Sequence, residues 1–162
     1  MNYFELFGFE VSPRINAAQL SRKYILLQRD SHPDFFTRET GDEQEEALDK
    51  SADINKAYKI FSNPDETLSY FLKVKGILVS GEKFELPSGF LMEMMELNER
   101  ISEAPEEGKK AAAELAGGLE AEEEENILLL RGDADNRSAL DRLKSLYYRK
   151  KYLNRILDRL AD

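Results

Sequence analysis

The 162-residue sequence has no cysteine, a single histidine and no long apolar run. Without cysteine there can be no disulfide, no thiolate nucleophile and no cysteine-ligated zinc or iron-sulfur centre. One histidine cannot build a histidine cluster, so a metal site would have to use carboxylates alone; neither a metal nor a cofactor is expected. No stretch approaches the roughly 20 apolar residues of a spanning helix. The opening MNYFELFGFE carries acids where a signal or transit peptide would carry basic charge. A cytoplasmic location without membrane association is therefore expected. Positive charge is also in deficit: 23 Lys and Arg against 32 Asp and Glu give a formal charge of -9. That balance disfavours nucleic acid, because phosphate contacts need concentrated Lys and Arg. No nucleotide loop, catalytic triad or metal-ligand spacing occurs, so no catalytic residue is assigned and an enzyme is not expected.

Strand signals are nearly missing too. β-branched residues are scattered, while apolar residues recur at the 3.6-residue spacing of a helix from end to end. The expected fold class is all-α. A short first helix can be capped by Asn2 and end at Gly8, and a second opens at Ile15 or Asn16 after the Ser12-Pro13 turn. In the second, Leu20, Tyr24 and Leu27 fall on one stripe expected to be buried. It ends at Ser31-His32-Pro33-Asp34, since proline disfavours a helical residue before it. A polar stretch through Gly41 and Asp42 precedes a third helix from about 44 to 61, with Ile54, Ala57, Tyr58 and Phe61 on one face. Asn63-Pro64 stops it, and a fourth carries Leu68, Phe71 and Leu72. Two long antiparallel helices joined by a loop can bury those stripes against each other.

Gly76, Gly81 and mixed polarity mark a linker over 74–86, dividing a unit at 1–73 from one at 87–162. In the latter, helices at about 88–103, 106–130 and 136–160 predict a three-helix bundle. Gly117-Gly118 inside the middle helix costs about 1 kcal/mol per glycine relative to alanine, which predicts a kink or fraying. The acidic run Glu122 to Glu125 and the basic cluster Arg149, Lys150 and Lys151 read as solvated helix faces.

His32-Pro33-Asp34 sits between two amphipathic helices, the second containing Ile54-Asn55-Lys56-Ala57-Tyr58, then Phe61-Ser62-Asn63-Pro64 and Tyr70. This arrangement resembles the J-domain, a helical hairpin with short flanking helices that displays HPD to a DnaK-class ATPase. Pro33 restricts the backbone, Asp34 offers a carboxylate for bidentate pairing with an arginine, and His32 supplies a directional donor or acceptor. Advancing about 100° per residue puts Arg22 and Arg29 opposite the Leu20 stripe, with Lys23 between the faces. With HPD, these three residues are expected to steer toward an acidic chaperone surface. The chain departs from the general J-domain pattern at Ile25 and Phe35, where basic residues are common, and at Thr67, where arginine is common. The reduced positive surface suits a dedicated partner better than a generalist one.

The run Phe90-Leu91-Met92-Glu93-Met94-Met95-Glu96-Leu97 separates into two faces. Phe90, Met94, Leu97 and Ile101 cluster on the natural core side, and Met92, Met95, Glu96, Glu99 and Glu103 lie roughly opposite. Methionines among glutamates make an adaptable apolar surface with an acidic rim, suited to a basic partner. On the last helix Leu143, Leu146, Tyr147, Leu153, Leu157 and Leu160 define the core side, and Tyr152 projects away as an exposed aromatic. The Phe90 to Leu97 run and the MNYFELFG opening resemble the HscB family, the J-proteins of iron-sulfur cluster assembly. That resemblance implies that the bundle binds the scaffold IscU through Leu91, Met92, Met95, Glu96, Glu99, Glu103 and Tyr152, while the J-domain recruits the ATPase HscA. The chain would act as a monomeric co-chaperone. A J-protein serving a general DnaK with another client remains the alternative.

Overall fold

The computed structural model describes residues 1–31 and 41–161. Seven helices and no strand occur among them: α1 (Tyr3–Phe7), α2 (Ala17–Ser31), α3 (Gly41–Phe61), α4 (Pro64–Val74), α5 (Ser88–Glu103), α6 (Pro105–Gly132) and α7 (Arg137–Ala161). The all-α class is as the sequence predicts. The chain divides into two compact units, Met1–Lys75 and Gly76–Asp162.

In the first unit, Asn2 closes a capping box with Glu5 at the start of α1, and Gly8 ends the helix at φ +70°, a left-handed conformation costly for any residue with a Cβ. This single turn and a half presents Phe4 and Phe7, both fully buried. They join Phe9, Phe61 and Tyr70 in an aromatic core with ring centroids 5.1 to 6.2 Å apart. The Tyr70 hydroxyl accepts from the Tyr3 amide at 2.8 Å, and burial of that phenol pushes its pKa above the ordinary value. The α2–α3 contact is more polar than the stripe Leu20, Tyr24, Leu27 predicts. Leu20 is buried, but Tyr24 and Leu27 are only half-buried. The Tyr24 hydroxyl donates to Asn55 Oδ1 at 2.7 Å, Gln28 donates to the same oxygen at 2.9 Å, and the Tyr24 and Tyr58 rings lie 4.2 Å apart.

Helix α3 already includes Gly41 and Asp42, which the sequence assigns to a polar loop. Asp42 and Glu43 in the first turn favour the positive end of the helix dipole, so acidic residues that look like loop extend the helix. Asn63-Pro64 ends α3 and also begins α4: Asn63 Oδ1 accepts from the amides of Asp65 and Glu66, and Pro64 occupies the first turn where its missing N–H costs nothing. Thr67 is 1% exposed and its hydroxyl reaches the carbonyls of Ile60 and Asn63 at 3.0 and 2.9 Å, tying α4 to the end of α3. Thr67→Val keeps the shape and removes the bond; both carbonyls retain amide donors. The expected cost is about 1 kcal/mol, measured as a lower urea midpoint of unfolding.

In the second unit, residues 76–87 have no helix but are tied to α7. Lys144 Nζ donates to the Ile77 carbonyl at 2.9 Å and forms an ion pair with Glu82, and the Phe84 ring stacks on Tyr148 at 4.5 Å. Lys144 beside Glu82 holds that carboxyl below the ordinary glutamate value. The ion pair is therefore complete above the ordinary range and is lost as pH falls through the depressed folded value. Part of the segment read as a linker thus belongs to the bundle. Helices α5 and α6 approach closely at one end, where a Cβ on Gly108 would lie 2.6 Å from Ile101 Cα.

Three sequence expectations are corrected here. The fraying expected at Gly117 and Gly118 does not occur: α6 runs through both, because its flanking turns bury Ala112, Leu119, Ile127 and Leu130 and packing outweighs propensity. The acidic and basic runs are not merely solvated faces: Glu123, 1% exposed, lies 3.3 Å from Lys150 Nζ, and Glu122 lies 3.8 Å from the Arg149 guanidinium. Between the same helices Arg142 donates to Asn126 Oδ1 at 2.6 Å, so the α6–α7 contact carries a polar ladder. Tyr152 is half-buried, not freely exposed, with its ring 6.0 Å from that of Phe90 in an edge contact.

Candidate protein-docking surfaces

The described residues among those assigned from sequence lie on α2 in the first unit and on α5 and α7 in the second. His32, Pro33 and Asp34 lie outside the described residues, as does Phe35. On α2, which leads to them, Arg22 and Arg29 are exposed and share a face with Ile25 and Leu26, 63% and 49% exposed. Lys23 is half-buried and does not join this face; its Nζ lies 3.6 Å from where a Cβ on Gly8 would be, at the end of α1. Sequence reading noted Ile25 as a departure but missed Leu26. Placing 22, 25, 26 and 29 together at about 100° per residue would have found a face that is half basic and half apolar.

Helix α5 shows the two-sidedness its spacing predicts. Phe90, Met94 and Leu97 are buried, anchoring the helix against α6 and fixing its rotation. The opposite side is left to solvent: Met92 is 62% exposed, Met95 66% and Leu91 39%. Glu96, Glu99 and Glu103 are exposed on the same side. Steps of three and four residues make Leu91, Met92, Met95, Glu96, Glu99 and Glu103 one continuous strip. Among the described residues no ion pair engages Glu96, Glu99 or Glu103. Tyr152 is brought to this helix through Phe90, beside the first turn of α5, and contributes a ring edge rather than a free side chain.

This strip can do little chemistry. It holds no nucleophile and, among the described residues, no group of three or more His, Asp or Glu placed to hold a metal ion. It can bury apolar area. Two thioethers adapt their shape to an opposing surface, and the carboxylates favour a partner with Lys or Arg at the rim. Among the described residues no helix is long and apolar enough to cross a membrane.

Comparison with known proteins agrees with this anatomy. A family model described as the HSCB C-terminal oligomerisation domain matches residues 86–161. The co-chaperone protein HscB homolog of Colwellia psychrerythraea is 36% identical, with 100% of this chain and 97% of that protein covered. The mouse iron-sulfur cluster co-chaperone protein HscB is 31% identical over 98% of this chain and 67% of its own length. Among solved structures, the crystal structure of human co-chaperone protein HscB superposes with a TM-score of 0.75 at 29% identity, covering 99% of this chain and 81% of the human one. Full-length similarity to the bacterial protein, together with the C-terminal match, shows that the chain belongs to the HscB co-chaperone family.

Proposed function

We propose that the chain is a non-enzymatic adaptor acting in the cytoplasm, in which the first unit is a J-domain and the second holds an iron-sulfur scaffold protein, IscU. In this reading His32, Pro33 and Asp34 engage a DnaK-class ATPase of the HscA type. Arg22 and Arg29 steer the approach, and Lys23 supports them from the side of α1. Leu91, Met92, Met95, Glu96, Glu99 and Glu103, with Tyr152 at their edge, hold the scaffold. Linking client and chaperone in one chain raises the effective concentration of each for the other, so two modest interfaces suffice. The hydrolytic residues belong to the ATPase.

The observation that carries this reading is the pair Met92 and Met95, exposed together on α5 among carboxylates that, among the described residues, no ion pair engages. Solvent exposure of two methionines serves no folding purpose; burial against a partner would. Truncating both removes the apolar centre and leaves the acidic rim. Met92→Ala with Met95→Ala should weaken IscU binding by about 2–3 kcal/mol, roughly 30- to 150-fold. The check is the chaperone ATPase rate with and without IscU. The native chain and IscU should stimulate synergistically, and the double variant should keep basal stimulation but lose the synergy. Equal synergy in both would remove the scaffold assignment.

Ile25 and Leu26 dilute the positive charge of α2, which favours a dedicated ATPase over the alternative, a general DnaK with another client. Retention of IscU by the native chain separates the two readings.

A further inference from the structure

Beside the outward strip of α5 lies a second feature, a groove of about 600 Å³ between α5 and α6. Its apolar lining comes from Phe90 and Leu97 on α5 and from Ala111, Leu115 and Leu119 on α6. The geometry has a simple origin. The two helices meet closely where Gly108 faces Ile101, and at a distance from that contact α6 offers Gly118 to the groove, with nothing within 4 Å of where its Cβ would be. A glycine there weakens the helix and keeps the groove wall bare.

The rim is charged. Glu93, Glu96, Glu114 and Glu122 line it against Arg100 and Arg149, four carboxylates to two guanidinium groups. Arg149 is already beside Glu122 at 3.8 Å, while among the described residues no ion pair engages Glu93, Glu96 or Glu114.

We infer that this groove is a second docking site, taking a basic segment of the client protein: a Lys or Arg side chain set beside an apolar residue. The aliphatic stem lies on Phe90, Leu97 and Leu119, and the cationic head meets Glu93, Glu96 and Glu114. Glu96 belongs both to the groove and to the outward strip, so the two sites are continuous. A second copy of this chain is a poor occupant, because at a net charge of -9 it is repelled by the acidic rim. The inference rests on the reading of α5 as the client-binding helix.

The test is calorimetric titration of IscU into the full chain with four variants. Gly118→Leu fills the groove with a good helix former, and Glu114→Lys reverses a rim charge on α6, away from the outward strip. Each should weaken binding about tenfold with helix content unchanged. Gly117→Leu, one residue away and outside the groove lining, should bind as the native chain does. If Gly118→Leu and Glu114→Lys bind normally while Met92→Ala with Met95→Ala binds weakly, the groove is overturned and the α5 strip stands. If that double variant also binds normally, the client-binding reading of α5 falls with it. Equal weakening by Gly117→Leu and Gly118→Leu would place the effect in the helix and overturn the groove. Glu114→Lys, an exposed substitution, carries the test should Gly118→Leu fail to fold.

Discussion

Asp34→Asn is expected to reduce stimulation of the chaperone ATPase to the unstimulated rate while leaving IscU affinity within about twofold of native. The asparagine has nearly the carboxylate's size, so the change is electronic. A carboxylate offers two equivalent acceptor oxygens and a charge, which match the parallel N–H pair of a guanidinium. An amide keeps one acceptor, puts a donor where the other was, and loses the charge. Leaving the partner's arginine desolvated and unpaired costs about 2–5 kcal/mol, or roughly 30-fold to several thousandfold in the productive complex. Steady-state ATPase rates across a concentration series of native and variant chains read this directly. IscU titration of the same variant reads the other half of the molecule, which lies in a separate compact unit and should not respond. Residual stimulation by Asp34→Asn close to native would mean that HPD is not the contact.

Gly108→Val should destabilise the bundle by about 3 kcal/mol or more. A Cβ at this position would stand 2.6 Å from both Cα and Cγ1 of Ile101 and 2.9 Å from its backbone nitrogen. A side chain can swing aside; the backbone of a helix cannot. Helices α5 and α6 would have to separate, unpacking Phe90, Met94 and Leu97 from their neighbours. Urea unfolding should show the loss as a lower midpoint for the bundle, and IscU binding should fall with the folded fraction. Gly117→Ala gives the opposite sign. Gly117 has open space around its Cβ position and an ordinary helical backbone, so alanine should stabilise by roughly 0.5–1 kcal/mol. Two glycines in one helix thus have opposite reasons to be there.

Much of this was readable in the sequence. In the apolar rows, Ile54, Ala57, Phe61 and Phe90, Met94, Leu97 are buried as their period predicts while Tyr58 and Ile101 are only half-buried, and Met92 and Met95 are exposed for the same reason. Side-chain period is a local property, and local properties survive folding. Boundaries were harder: acidic residues such as Asp42 and Glu43 suit both a loop and a helix N-terminus, and only the dipole decides between them. Contacts between distant segments were not readable at all. Nothing near Glu123 announces Lys150, and nothing in 76–87 announces that Lys144 and Tyr148 will hold it. Tyr152 fell between the cases: its position off the core stripe was legible, but the arrival of Phe90 beside it depends on the rotation of α5. The groove also escaped, because Gly118 read as a weakness of the helix and its meaning depends on what lies across from it.

The adaptor claim requires both interfaces to work through one chain, and competition tests that requirement directly. Asp34→Asn, with its HPD motif disabled and its α5 face intact, is added in excess to a mixture of native chain, chaperone and IscU, and ATPase rate is followed. The adaptor account predicts that it sequesters IscU and suppresses the synergistic part of the stimulation, and that adding Met92→Ala and Met95→Ala to the same variant abolishes the suppression. No suppression by Asp34→Asn, or equal suppression by the triple variant, would contradict the account.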